Sequence, residues 1–171
     1  MNTLATPGSG GLISDDVRRF FTEFERTSNE LDPAASAGQF ADNFLSADPN
    51  RVVVVPKAAF LAALPQRIRL FESMGRTGTR LVSIHETALD ERHVLVDTQW
   101  TAHLVDPAGR SDNLPLSSVF ILRRENAGLR IVFYLNRQDI ASVIQARQRG
   151  CLQAGEPTDE AAHGSTPREH P

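Results

Sequence analysis

Cysteine is nearly missing from this chain of 171 residues: Cys151 stands alone, which excludes an intrachain disulfide framework and any multi-thiolate metal site. No apolar run approaches the roughly 20 residues that span a bilayer, and the opening MNTLATPGSGG has neither the basic segment nor the apolar run of a signal peptide. A cytoplasmic protein with no membrane partner is the expectation. Basic stripes are lacking too. A formal net charge of -3 and a pI near 5.9 argue against a phosphate-binding surface, so no nucleic-acid partner is expected. The glycines of SMGRTGT are not followed by the Lys-Ser/Thr of a phosphate loop, and His85, His93 and His103 have no metal-ligand spacing. Neither a metal nor a cofactor is expected.

What is present is an ordinary globular composition, 40% apolar and 23% charged, sufficient for one core. Small, polar and Gly/Pro-rich residues fill 1–11, and 151–171 combines Pro, Gly and charge without periodicity. A flexible N-terminus over 1–11, one domain over 12–150 and a disordered tail over 151–171 follow. Within the domain Ser14 is placed to cap a helix with Asp15 and Asp16 in its first turn, and Val17, Phe20, Phe21 and Phe24 repeat at helical spacing. Asp32 and Pro33 open a second helix, marked by Ala37, Phe40, Ala41, Phe44 and Leu45 and closed by the turn SADPN. Val52 to Val55 reads as a lone short strand. Pro56 then starts a third helix through Phe60, Leu64, Ile68 and Phe71 to a stop near Gly75, with Pro65 expected to kink or split it.

From Gly78 the period changes from about 3.6 to 2, giving strands Thr79 to Leu89, His93 to Val105, Leu114 to Arg124 and Leu129 to Asn136. Their short connectors make them antiparallel neighbours. Asp139 can cap a last helix from Ile140 to Arg149. The fold class is therefore α+β: helices packed on a four-stranded antiparallel sheet, plus one short strand and a short C-terminal helix.

The strand VLVDTQWTAHLV separates two faces, Val94, Val96, Thr98, Trp100, Ala102 and Leu104 on one, and Leu95, Asp97, Gln99, Thr101, His103 and Val105 on the other. The face with Trp100 is the more apolar and is expected to meet the helices; the alternative turns Asp97 and its neighbours inward. For His85, a two- or four-residue loop at DER puts it on the face of Trp100, whereas an odd loop puts it beside Asp97. Tyr134 alternates with Val132 and Asn136, away from Ile131 and Phe133, which leaves it at a pocket mouth or in an interface.

Taken together, the Phe-rich first helix, FADNFLSADP, HVLVDTQWTAHL, and GLRIVFYLNRQDI running into an Asp resemble the nuclear-transport-factor-2-like superfamily, which includes SnoaL-like cyclases and ketosteroid isomerase. The resemblance covers roughly Leu12 to Gly150. It implies a cone in which the helices roof the concave face of the sheet over an apolar cavity, and a homodimer packed through the sheets. The tyrosine that an isomerase places on its first helix is replaced here by Phe20, Phe21 and Phe24, so that site is not reproduced.

Three functional classes stay open. The first is a small, largely apolar molecule bound in a cavity lined by Phe20, Phe24, Phe44, Phe60 and Trp100, with Tyr134 as a donor. The second is a cyclase, isomerase or dehydratase in which His85 or His103 pairs with Asp97 or Asp139 inside that cavity, the SnoaL-like arrangement. The third is a dimeric interaction module whose aromatics fill the core. Asp42 reads as an exposed surface acid, and Arg67 and Arg69 as solvated or anion-binding.

Overall fold

Val17, Phe21 and Phe24 wind into α1, Asp15–Glu30, whose first-turn Asp15 and Asp16 complement the positive end of the helix dipole. The computed structural model describes residues 12–30, 32–106, 108–139, 142, 143 and 146. Val17 and Phe21 lose all contact with solvent. Ser14 occupies the cap position, its carbonyl accepting from the Arg18 N–H at 3.0 Å. Its hydroxyl, however, donates to the Glu86 carboxylate at 2.8 and 2.9 Å.

Asp32 and Pro33 start α2 as the sequence predicts, the Asp32 carboxylate accepting from Ala34 and Ala35 N–H, but α2 is only Pro33–Ala37. The expected second helix through Leu45 is instead a strand, β1, Phe40–Asp48. Phe40 and Phe44 are both buried because a spacing of four also places two residues on one face of a strand, so the interval does not distinguish strand from helix. Pairing overrides the local pattern. The β-branched run Val52 to Val55 forms β2, Arg51–Pro56, and needs an antiparallel partner for its backbone groups. The Asp48-Pro49-Asn50 turn, closed by Asp48 Oδ1 accepting from the Asn50 and Arg51 N–H, folds β2 back onto β1.

Helix α3, Lys57–Ser73, runs through Pro65 without being split and ends before Gly75 at φ 72°. Strands β3 (Arg76–Ala88), β4 (His93–Val105), β5 (Ser111–Glu125) and β6 (Gly128–Asn136) form the expected antiparallel meander. Because β1 adds parallel to β6, the sheet has six strands and is mixed, in the order β2-β1-β6-β5-β4-β3, rather than four plus one and antiparallel throughout. It is open, with β2 and β3 at its edges. The expected last helix and both terminal segments fall largely outside the described residues. No helix among the described residues is long and apolar enough to cross a membrane.

Irregularities in the pairing of β3 and β6 also change which side chains face the helices. In β3 the pairs Leu81↔Trp100 and Ser83↔Gln99 leave Val82 as an extra, largely exposed residue. In β6 the pairs Ile121↔Phe133 and Leu122↔Ile131 leave Val132 extra. Each bulge inverts the alternation beyond it. Strand β4 keeps strict alternation, so Val94, Val96, Thr98, Trp100, Ala102 and Leu104 are all buried on the inner face.

Candidate functional site

The inner face of the sheet does not meet the helices uniformly. Towards one end Val17 and Phe21 of α1 pack directly on Val94, Val96, Phe120 and Leu122 to form the core. Towards the other end α3 stands off the sheet and roofs a cavity of about 200 Å³, larger than the ~150 Å³ that suffices to hold benzene. Phe60, Leu64, Ile68 and Phe71 of α3 form its roof, Trp100, Leu104 and Leu116 its floor, and Phe24 and Phe40 its inner wall. The helical spacing of the α3 residues puts them on one face.

Trp100 is 6% exposed, and its Nε1–H donates to Thr98 Oγ1 at 2.8 Å, whose hydroxyl donates in turn to the Ser118 carbonyl at 3.0 Å. With its only donor already used, Trp100 offers the cavity a purely apolar ring. Tyr134 also faces inward. The bulge at Val132 returns it to the face of Ile131, where its ring stacks on Phe120 with centroids 4.8 Å apart and its hydroxyl donates to Asn136 Oδ1 at 2.5 Å. The Ser118 hydroxyl donates to the same oxygen at 3.3 Å.

Of the six aromatics expected to line the site, Phe24, Phe60, Trp100 and Tyr134 do so. Phe44 instead fills the core behind the wall, with its ring 4.8 Å from Phe40 and 5.5 Å from Phe60, and Phe20 stacks on Phe24 outside the lining. The expected acid–base residues are all elsewhere. Ala88 pairs with Val94, leaving five residues in the loop, so the odd-loop outcome holds and His85 lies opposite Asp97 on the outer face. Asp97 is tied to Arg137 there. His103 is exposed and contacts Asn113 Oδ1 through Nδ1 at 2.6 Å. Asp139 accepts from Asn50 Nδ2 at 2.8 Å and from the Ser142 N–H at 3.2 Å, the capping contact that the sequence predicts. No His, Asp or Glu is among the described residues lining the cavity. Asp42 is exposed and ion-paired to Lys57 Nζ at 2.6 Å; the hydrogen bond and charge of Lys57 hold its carboxyl below the usual range.

Two cavity groups had no sequence signal. Gln39 falls at the junction of α2 and β1, where no periodicity distinguishes it, and is buried with its Oε1 accepting from Thr27 Oγ1 at 3.0 Å. Arg76 follows the helix-ending glycine. Its Nε donates to Thr79 Oγ1 at 2.9 Å and its Nη2 to the Ser28 carbonyl at 3.2 Å, while its guanidinium lies over the Phe71 ring at 5.2 Å. Burial lowers the pKa of Arg76, though a guanidinium stays charged at neutral pH.

No protein-family model and no curated protein matches this sequence. Solved structures do match in fold. An NTF2-like protein of unknown function from Shewanella oneidensis is 15% identical, with a TM-score of 0.60 over 72% of this chain and 98% of its own. An NTF2-like protein with a cystatin-like fold from Novosphingobium aromaticivorans is also 15% identical, with a TM-score of 0.61 over 76% of this chain and 86% of its own. Aln2 from a Streptomyces species is 17% identical and has a TM-score of 0.63, covering 80% of this chain and all of its own.

Proposed function

Starting from the nuclear-transport-factor-2-like fold that this chain has, we propose that the domain binds a small, largely apolar molecule between α3 and the inner face of the sheet. One observation carries this reading: α3 has the aromatic and aliphatic stripe of a core helix, yet none of its residues is fully buried, because the stripe faces open space. Apolar surface left unburied at helical spacing is stabilised by a ligand that covers it.

The cyclase or isomerase reading has less support, since its imidazole and carboxylate candidates lie on the outer face or at the rim. The filled-core interaction module would need a closed interior.

Titration with the neutral dye N-phenylnaphthylamine, followed by its own emission and by quenching of Trp100, tests the proposal. Saturable binding is expected, and Ile68→Trp, which fills the space under α3, should abolish it while leaving the fold intact by circular dichroism. Non-saturable emission from both proteins would sink the reading.

A further inference from the structure

Cavities that serve only apolar molecules have no reason to keep a charged or unpaired polar lining, because each such group costs free energy to bury. This one keeps both. Gln39 is 6% exposed and lines the cavity, and its Nε2 is the one buried side-chain polar atom without a hydrogen-bond partner among the described residues. The Thr27 hydroxyl lies 3.0 Å from Gln39 Oε1 and 3.2 Å from the Phe24 carbonyl, which ties one end of the amide to the last turns of α1. Arg76 lines the same cavity and reaches Ser28 on the same last turn of α1 that carries Thr27. Both groups are therefore tied to adjacent residues at the end of α1.

Charge makes the case sharper. Arg67 and Arg76 are in the lining, no carboxylate is, and neither guanidinium has an ion-pair partner among the described residues. Arg67 is held only by the Phe60 ring, 5.8 Å away, and the Nη1 donors of Arg76 meet no protein acceptor among the described residues. An excess of two positive charges in the lining of a chain whose net charge is -3 is a local reversal of sign. The carbonyl end of α1 is the wrong pole for an anion, but Arg76 already caps its Ser28 carbonyl and retains free donors.

We infer that the bound molecule is an apolar acid, with its hydrocarbon body between α3 and Trp100 and a carboxylate received by Gln39 Nε2 and the Arg76 guanidinium. This rests on the cavity reading above and adds the chemical class of its ligand. Charge-assisted hydrogen bonds to both groups satisfy the orphaned amide and discharge the uncompensated guanidinium in one contact.

The test is a matched pair of competitors, naphthoate and naphthalenemethanol, displacing N-phenylnaphthylamine from the full chain. Naphthoate should bind about tenfold more tightly than the alcohol, the size of one charge-assisted hydrogen bond. Gln39→Leu should remove about fivefold or more of the naphthoate affinity, leave the alcohol and the dye unchanged, and raise the thermal midpoint of the free protein, since an unpaired buried donor is gone. Arg76→Gln should remove most of the remaining preference.

Equal affinity of the acid and the alcohol, with the dye still displaced by both, would overturn this inference and leave the cavity reading standing. Absence of dye binding would remove both. A Gln39→Leu protein that weakens acid and alcohol alike would also overturn it, because the amide would then be supporting the wall and not the carboxylate.

Discussion

Helices α1 and α3 are nearly equal in length, both carry an aromatic stripe at helical spacing, and they do opposite things with it. The stripe of α1 ends in Val17 and Phe21, fully buried against Phe120 and Trp100, whereas every residue of α3 retains some exposure. Their polar tethers differ in the same sense. Arg124 bridges Asp16 at 3.0 Å and Glu86 at 3.5 Å, and Glu86 also holds Ser14, pinning the start of α1. At its far end Asn29 brackets Thr79, donating to its carbonyl and accepting from its N–H, both at 2.8 Å. For α3 the ion pair to the sheet among the described residues is Lys57 to Asp42, at its first turn. A helix pinned by ion pairs or hydrogen bonds at both ends supports the core; one whose far end rests on the Arg76–Phe71 contact can cover a space that must open.

The largest effect should separate the two stripes. Phe21→Ala removes a ring with no exposure and is expected to cost about 3–5 kcal/mol in urea unfolding. Phe60→Ala, whose ring is half-buried at the cavity edge, is expected to cost under about 2 kcal/mol while weakening dye binding. Equal costs would mean that α3 is core in the same sense as α1. Next in size is the joint that sets α3 off from the sheet. Gly75 has φ 72°, and a Cβ there would sit 1.8 Å from the Val105 carbonyl oxygen, which the backbone approaches because the Val105 N–H donates to the Gly75 carbonyl at 2.8 Å. Gly75→Ala is therefore expected to lose about 2 kcal/mol or more, from left-handed strain and displacement of β4.

A smaller loss is expected at the anchor of α1. Arg124→Met leaves Glu86 half-paired in a mostly buried site and should cost about 1–3 kcal/mol. It also carries a pH signature. Burial acts to raise the pKa of Asp16, but hydrogen bonds from Ser14, Arg124 and the Val17 N–H outweigh it and hold the carboxyl below the ordinary aspartate range. With the folded value depressed, its contribution is complete above the unfolded pKa and is lost as pH falls through the folded one. Acid titration of stability should therefore show a step below the usual aspartate pKa that shrinks in the Arg124→Met protein; an unchanged step would assign it to other carboxylates.

Much of this arrangement is written in local patterns. The Phe-rich α1, the stripe of α3 and the inward face of β4 follow from spacing alone, because each element obeys one period from end to end. Elements with a break in period do not read out. Phe40 and Phe44 have a spacing that a helix and a strand share, the register at the β3–β4 turn sends His85 out, and the bulge at Val132 brings Tyr134 in. A bulge is set by pairing with residues far along the chain, which a single strand does not encode. Gln39 and Arg76 were invisible for a related reason: their meaning lies in partners that are missing.

The difference between the helices also has a dynamic form, expected to be the smallest in energy and the most direct. Pro65 within α3 lacks the N–H that would bond to the Leu61 carbonyl, and no residue of the helix is locked in the core, so α3 should open more readily than the whole domain unfolds. Hydrogen exchange should then find its amides released well before those around Val17 and Phe21. N-phenylnaphthylamine should slow exchange in α3 and leave α1 nearly untouched, since a ligand stabilises only the opening that expels it. Equal slowing in both helices would mean that the dye binds against global unfolding, and that α3 is not the element that admits it.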